Sequence, residues 1–429
     1  MKSVEGSTHV VREPPDDSRQ HFGKHHTLQA KKPEFQPDSI PKTIEVKIKE
    51  TDNRPRHFMA AKSNHQWRIV HSEASTGWGG QERRIMAELE GFRRRGHEVW
   101  LLAPPKSEIF CRAKEAGIVA EPIDFTRWKF PFGVLKAVRF LKQVRPHIVN
   151  PHSSRDGWLV GLASRLASVP FLVRTRHFDV PVSSRHLSGF VYSRLADHVL
   201  TTSPKVTEHF RELFRLPESQ VSTLSTGIDL EIFSAQGDCA QLIPGAQAKK
   251  LPLIGMVSVI RLAKGHAILL EAAHQLRAAG FEAHYVIVGE GPSLDKAQAK
   301  VKELKLENHV TFFGQRDDVP AVLRALNMLV IPSLHEGIPQ TALQALATKT
   351  PVVASNVGGI PSVIRDGETG RLFPPGDAKA LALAIKATLQ DTDATQRMCE
   401  AGRLLVEKEH SLEGMLDKLE ALYRRHLPA

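Results

Sequence analysis

Glu336 stands in the run SLHEGIPQTALQALA, Ser333 to Ala347, directly after the apolar stretch MLVI of Met328 to Ile331. A stretch of that kind reads as a buried strand, so the carboxylate falls just past the strand's carboxyl end, where parallel sheets hold their ligands. Gly337, Ile338, Pro339 and Gln340 then open a helix. All but Pro339 carry a backbone N–H at the helix's positive end, which suits an anion. Gln340 and Gln344 lie one turn apart and share a face. The competing account is an ordinary strand-to-helix turn. A second run, VSVIRLAKGH at Val257 to His266, places Arg261 and Lys264 after another apolar strand. Two cations there suit a diphosphate, arginine through its forked donors and lysine as a point charge. A solvated turn is the alternative. Together the two runs offer cations, N–H donors and a carboxylate from neighbouring strand ends, a combination that suits a nucleotide diphosphate-sugar.

Such placement requires strands and helices in alternation, and the chain supplies them from Trp67 onward. WRIVH (Trp67 to His71), HEVWLLA (His97 to Ala103), HIVN (His147 to Asn150), FLVR (Phe171 to Arg174) and HVLTT (His198 to Thr202) alternate with longer amphipathic stretches. That pattern means βαβ units and a parallel sheet. A polar stretch, Ser234 to Lys250, interrupts it with Gly237, Pro244 and Gly245 and reads as a linker. The alternation restarts with LPLIGMVSVI (Leu251 to Ile260), HYVIVGEG (His284 to Gly291), HVTFFG (His309 to Gly314), MLVIPS (Met328 to Ser333) and PVVAS (Pro351 to Ser355). After Asp377 Ala, Leu, Lys and Glu recur at helical spacing, ending in LDKLEALYRRHL, Leu416 to Leu427. The expected fold is α/β, with two Rossmann-like parallel-sheet domains facing across a cleft. The N-terminal one spans 66–245 and the C-terminal one 246–405. A C-terminal helix, 406–429, is expected to pack back toward the first domain. Residues 1–65 are rich in Lys, Asp, Pro, Ser and His and read as a disordered extension or a misplaced start.

Composition narrows the function. With 41% hydrophobic and 24% charged residues in 429, the chain is globular, which removes collagen-like, repeat and wholly disordered classes. Cys111, Cys239 and Cys399 lie far apart, which argues against a disulfide framework or a zinc module. No apolar stretch approaches the ~18–20 residues that cross a bilayer, and Met1 to His25 lacks the apolar segment of a secretion signal. A cytoplasmic protein is expected. The formal charge of +11 suits an anionic partner, but no aromatic-interleaved basic patch or reading motif points to nucleic acid. GEGP at Gly289 lacks the third glycine of a dinucleotide loop. Asp317 and Asp318 precede a helix and read as its cap rather than as metal ligands, so no metal is expected. The segment Arg127 to Arg145 mixes Trp128, Phe130, Phe132 and Phe140 with Lys129, Lys136, Arg139, Lys142 and Arg145. A packed helix with a solvated basic face accounts for it, and contact with a membrane surface is the alternative.

These residues resemble glycosyltransferases of family 4, the retaining GT-B enzymes, from about Trp67 to the C-terminus. The resemblance rests on GWGGQERR (Gly77 to Arg84), ADHVLTTS (Ala196 to Ser203), STGID (Ser225 to Asp229), RLAKGH, VGEGP (Val288 to Pro292), the HEG…Q element and VGGIPSVIRDGETGRLFPPGD (Val357 to Asp377). Their order and spacing make the set specific. More loosely, HSEASTGWGGQE and TRHFDVP look like a bacterial branch that builds lipopolysaccharide core or related surface glycans. The resemblance implies that Arg261 and Lys264 neutralise a departing diphosphate and that Glu336 holds the donor sugar's hydroxyls. The backbone from Gly337 to Gln340 would bind sugar and phosphate, and Gln344 would meet the ribose. Gly79 and Gly80 would let the backbone approach the donor phosphate, and His177 would face the donor sugar. His152 and Arg155, which follow a strand, are expected to line the acceptor side of the cleft. Two positions depart from the family pattern: the Arg261 to Lys264 gap is short, and Gln344 stands where a second glutamate is usual, which bears on nucleotide preference. The implied reaction moves a sugar from a nucleotide diphosphate-sugar to a lipid-linked or glycan acceptor without a cofactor, at the cytoplasmic face of the inner membrane. A nucleotide-sugar epimerase or phosphorylase on the same fold, or an inactive sugar-binding scaffold, are the alternatives.

Overall fold

The computed structural model describes residues 66–177, 185–242 and 251–427. The expected N-terminal extension, residues 178–184, which include the end of the TRHFDVP run, and residues 243–250 of the linker lie outside the described residues.

The first sheet holds seven strands: β1 (Arg68–Ser72), β2 (Glu98–Ala103), β3 (Val119–Pro122), β4 (Ile148–Pro151), β5 (Phe171–Arg176), β6 (His198–Thr201) and β7 (Val221–Thr223). Their order is β3-β2-β1-β4-β5-β6-β7, and every pairing is parallel. Helices α1 (Gly80–Arg94), α2 (Glu108–Glu115), α3 (Phe130–Val144), α4 (Ser154–Leu166), α5 (Arg185–Phe190) and α6 (Pro204–Phe214) connect them. The second sheet holds six: β8 (Leu253–Val257), β9 (His284–Val288), β10 (Val310–Phe312), β11 (Met328–Ile331), β12 (Val352–Ser355) and β13 (Arg371–Phe373). It is ordered β10-β9-β8-β11-β12-β13, again all parallel. Its helices are α7 (His266–Ala278), α8 (Leu294–Glu303), α9 (Val319–Ala325), α10 (Gln340–Ala347), α11 (Ala378–Gln390) and α12 (Thr392–Glu409), followed by α13 (Leu412–His426).

The central strands are covered on both faces, so β4, β9, β11 and β12 are buried along their whole length and are mostly apolar, β11 without a break. Strands β3, β7 and β13 carry no such run. Each sits at an edge of its sheet and is only partly buried, so neither face demands continuous apolar residues.

The expected boundary at 405/406 falls inside α12. The chain instead crosses to the first domain at His410 and Ser411, where Ile228 N–H donates to His410 (2.7 Å) and Leu412 N–H donates to Ile228 (2.8 Å). Helix α13 then buries Leu412, Met415, Leu416, Leu419, Leu422 and Tyr423 beside Ile85, Leu89 and Phe92 of α1. Six such side chains are worth on the order of 10 kcal/mol of gross transfer free energy, which ties the two domains through one helix. Gly91 of α1 permits the approach, because a Cβ there would collide with Leu416.

Helix α3 packs through Gly133, Val134, Ala137 and Leu141. Its outer side leaves Phe132 71% and Leu135 66% exposed, next to exposed Lys136, Arg139 and Lys142, and Trp128 in the 3₁₀ turn just before it is 94% exposed. The outer face is therefore aromatic as well as basic. The two aspartates before α9 do not cap it with their side chains. Asp318 pairs with Arg316 and Asp317 with Arg112 of the first domain at 3.1 Å, because each has a guanidinium within reach.

Candidate active site

At the carboxyl end of β8 a short 3₁₀ turn, Leu262–Lys264, directs Lys264 into the cleft. Gly265 ends the turn at φ 76°, and a Cβ there would collide with the Pro332 carbonyl after β11. Leu334 N–H donates to the Ala263 carbonyl at 2.8 Å, so the two strand-end loops are joined through the backbone. The result is Lys264 Nζ at 2.5 Å from Glu336 Oε2. Ser333 Oγ donates to the same oxygen at 3.0 Å. Both bonds fall on Oε2, which leaves Oε1 for a hydroxyl. Behind them Gly358, at φ 55°, lies so close to the Glu336 carbonyl that no side chain fits, and this holds the loop from below.

One cavity gathers most of the expected residues: Lys264, Glu336, Gly337 to Gln340, Gln344, Gly79, Gly80 and His177 all line it. Two helix N-termini meet there. That of α10 begins at Gln340 and that of α1 at Gly80, and Gln340 Nε2 donates to the Gly80 carbonyl at 2.6 Å across the cleft. Gly79 N–H is taken by Glu82 of its own helix at 2.8 Å. Gln344 is 7% exposed, with its side chain at the cavity wall.

Three expected residues are placed differently. Arg261 is exposed and does not line the cavity, because it precedes the 3₁₀ turn in extended backbone while Lys264 ends that turn. Two other arginines line it: Arg83 of α1, which stacks 5.3 Å from the Trp78 ring centroid, and Arg316, whose guanidinium is paired with Asp318. Arg155 is exposed on α4 and also lies outside the lining. His152 is 2% exposed and stands behind His177 rather than on the cavity surface. Its Nδ1 is 2.8 Å from His177 Nε2, and its Nε2 is 2.8 Å from His71 Nδ1.

Burial keeps this histidine row neutral. It lowers His71 to about 4 and holds His152 and His177 well below the ordinary value, with the positive charge of Arg84 acting in the same direction on all three. Close by, Glu73 is fully buried at the end of β1. Its Oε1 accepts from Ser75 N–H at 2.7 Å and its Oε2 from Gln81, a residue that lines the cavity. Burial and then the neighbouring Asp156 raise the Glu73 carboxyl to about 8 against those hydrogen bonds. Arg83, within α1, is not marked by any strand-end position, whereas Glu73, His152 and His177 each directly follow a strand and His71 lies inside one. The signal for them is polar residues continuing an apolar strand, as in RIVHSE, where His71 to Glu73 are all buried.

The site thus offers two N-terminal helix dipoles, Lys264 and Arg83 for anionic charge, and a fixed carboxylate for hydroxyls. Residues 78–232 match the profile described as Glycosyltransferase Family 4, and residues 243–405 match Glycosyl transferases group 1. The chain belongs to the family 4, group 1 glycosyltransferases. It is similar to the alpha-D-kanosaminyltransferase of Streptomyces kanamyceticus, with 25% identity over 79% of this chain and 98% of the relative. It is also similar to the Escherichia coli UDP-Gal:alpha-D-GlcNAc-diphosphoundecaprenol alpha-1,3-galactosyltransferase, with 27% identity over 68% of this chain and 78% of the relative. The crystal structure of Anabaena HepE in complex with UDP-glucose superposes with a TM-score of 0.74 at 19% identity, covering 83% of this chain and 99% of that one. The expected GT-B architecture and glycosyltransferase class are those of the protein.

Proposed function

We propose that this glycosyltransferase moves a sugar, with retention of anomeric configuration, from a nucleotide diphosphate-sugar to a lipid-linked or glycan acceptor in the assembly of a surface polysaccharide such as lipopolysaccharide core. The observation that carries the reading is the convergence of Lys264, Glu336 and the N-termini of α1 and α10 on one cavity. The bond from the anomeric carbon to the phosphate oxygen breaks, and its electron pair leaves with the diphosphate. The acceptor oxygen forms the new bond on the same face, and its proton passes to the departing phosphate. Charge grows on the phosphate while the sugar becomes oxocarbenium-like. Lys264, Arg83 and the helix N–H groups are already in place for that charge, a preorganised stabilisation worth about 2.7–4 kcal/mol per donor. These fixed cations make a metal ion unnecessary. Glu336 Oε1 holds the sugar against the leaving group.

A uridine diphosphate donor and a lipid-linked acceptor are supported by the donor and acceptor in the E. coli relative's name and by the UDP-glucose in the HepE complex. No helix among the described residues is long and apolar enough to cross a membrane. The exposed aromatic and basic face of α3 supports work at the cytoplasmic face of the inner membrane, where a lipid-linked acceptor is presented. The test is a titration of the purified protein with UDP-, GDP- and ADP-sugars, followed by donor hydrolysis and transfer in the presence of a chelator. Saturable binding of one nucleotide class with chelator-insensitive turnover is expected; binding of none of the three would remove the reading.

A further inference from the structure

Behind the cavity wall the three histidines form a continuous row that ends on an ion pair. His177 Nε2 meets His152 Nδ1, and His152 Nε2 meets His71 Nδ1, each at 2.8 Å. Glu88 Oε2 lies 3.7 Å from that same His71 Nδ1. Glu88 is held by Arg84, whose Nε donates to Oε1 at 2.7 Å and whose Nη1 donates to the Leu224 carbonyl at 3.0 Å. His71, Glu88 and Arg84 are at most 2% exposed. A neutral imidazole carries one proton, so one choice at the end of the row fixes every ring after it.

Two observations make that choice. Glu88 Oε2 is buried with no hydrogen-bond partner, and the His71 nitrogen beside it is Nδ1. A proton on Nδ1 faces the carboxylate favourably, whereas a bare lone pair there would repel it. At the ring's other side His71 Nε2 is also buried without a partner. A lone pair stranded there costs less than a stranded N–H, since orphaned buried donors are the rarer case. Both arguments put the proton on Nδ1. His71 Nδ1–H then donates to His152 Nε2, which obliges His152 to carry its proton on Nδ1 and donate to His177 Nε2. His177 is left with its proton on Nδ1.

We infer that Glu88, through His71 and His152, acts as a positioning device that fixes His177 as the Nδ1–H tautomer, so that this glycosyltransferase presents a donor, and not an acceptor, to an oxygen of the sugar substrate in the cavity. His177 Nδ1 has no hydrogen-bond partner among the described residues, and it is the ring atom that remains for the ligand. The fixed tautomer spares the enzyme a proton rearrangement when the sugar binds. The role assigned to His177 rests on the nucleotide-sugar reading of the cavity; the direction of the row does not. The same three ligand-type atoms of His71, Glu88 and His152 also lie within 4.8 Å of one another, as a metal site would require. Arg84 against Glu88 argues for the hydrogen-bonded row instead, because a dication there would have to share that carboxylate with a guanidinium.

The tautomers are read directly by long-range proton–nitrogen correlation spectra of the full chain labelled with ¹⁵N-histidine, with His177 assigned by its loss in His177→Gln. All three rings are expected as Nδ1–H in the wild-type protein, without donor or acceptor. In Glu88→Gln the amide can offer its own N–H to His71 Nδ1. His177 should then populate Nε2–H, and kcat should fall about ten-fold with donor Kd changed less than two-fold. His152→Phe keeps a ring in place while cutting the row, and it should release the His177 tautomer in the same way. A wild-type His177 protonated on Nε2 overturns the inference, as does a Glu88→Gln protein with unaltered tautomers and kcat. Stoichiometric shifts of the His71 and His152 nitrogens on adding zinc sulfate would overturn it in favour of a metal site. The expected tautomers in a protein that transfers no sugar would sustain the row and count against the proposed function instead.

Discussion

Lys264 Nζ lies 2.5 Å from Glu336 Oε2, with the two residues fixed by a backbone bond between their loops and not by side-chain packing. The pair therefore forms at the ends of β8 and β11 before any ligand arrives. Replacing Glu336 by Ala should lower transfer by on the order of 10² or more with the fold intact, because what is lost is the positioning of the sugar. Removing Lys264 should weaken nucleoside diphosphate binding and leave nucleoside binding nearly untouched, since only the phosphates meet its charge. Arg83→Ala should act like Lys264→Ala, while Arg261→Ala should change diphosphate affinity little, as its side chain is exposed outside the cavity. Isothermal titration of each variant with both ligands checks this. A larger loss at Arg261 than at Lys264 would reverse the placement.

The two cations show how far the chain could be read from its residues. Lys264 and Glu336 were legible because a buried strand of a parallel sheet announces its own carboxyl end through an unbroken apolar run. Which of Arg261 and Lys264 faces the cavity depends on one 3₁₀ turn whose direction is set by a glycine against the Pro332 carbonyl, a contact across strands. Arg83 and Glu88 sit on α1 among many charged residues, and which of those are interior is decided by what other elements bring against that helix, as His71 of β1 is brought against Glu88. The edge strands β3, β7 and β13 were silent for the converse reason, since partial burial leaves no apolar signature.

Glu73 gives a pH dependence with a definite sign. Its carboxyl is raised from 4.5 to about 8, mainly by burial and next by Asp156. A group whose folded value is raised contributes stability below the unfolded value and loses it as pH rises through the folded one, here between about 4.5 and 8. Glu73→Gln keeps the shape and removes the titration. Its melting temperature should match the wild type near pH 5 and exceed it by a few degrees near pH 8.5. The buried histidines act oppositely, below about pH 6.5, in both proteins alike. A melting difference that does not grow between pH 5 and 8.5 would show that Glu73 is ionised at low cost.

Phe132 and Leu135 project from the outer side of α3 beside Lys136, Arg139 and Lys142, and Trp128 is exposed on the turn just before it. A surface of that composition gains from insertion at a headgroup boundary and from anionic lipid at once. Replacing the three apolar residues together by Ser should abolish co-flotation with anionic phospholipid vesicles and leave turnover on a water-soluble acceptor unchanged. Equal flotation of both proteins would assign the patch to something other than lipid.

The last test concerns Gln344, which is 7% exposed at the cavity wall, one turn beyond Gln340 at the start of α10. The family resemblance places ribose against this side chain, where a carboxylate is usual. An amide offers one acceptor oxygen and one NH₂ donor, whereas an ionised carboxylate offers acceptors alone. The glutamine therefore forgoes charge assistance, worth about 1–2 kcal/mol when a charged hydrogen bond replaces a neutral one, or roughly ten-fold in affinity. Chemistry at the anomeric carbon is untouched, because Lys264 and Glu336 are elsewhere in the cavity. Gln344→Glu should accordingly tighten donor binding several-fold and change turnover little. Without donor the new carboxylate is buried, so the variant alone should melt lower and regain the difference when donor is added, its charge being stranded until the ribose hydroxyls reach it. Donor titration and melting of both forms, with one acceptor, measure the two effects together. If the carboxylate weakens donor binding, Gln344 meets a group with a lone pair to offer, and its NH₂ is the part of the side chain that matters.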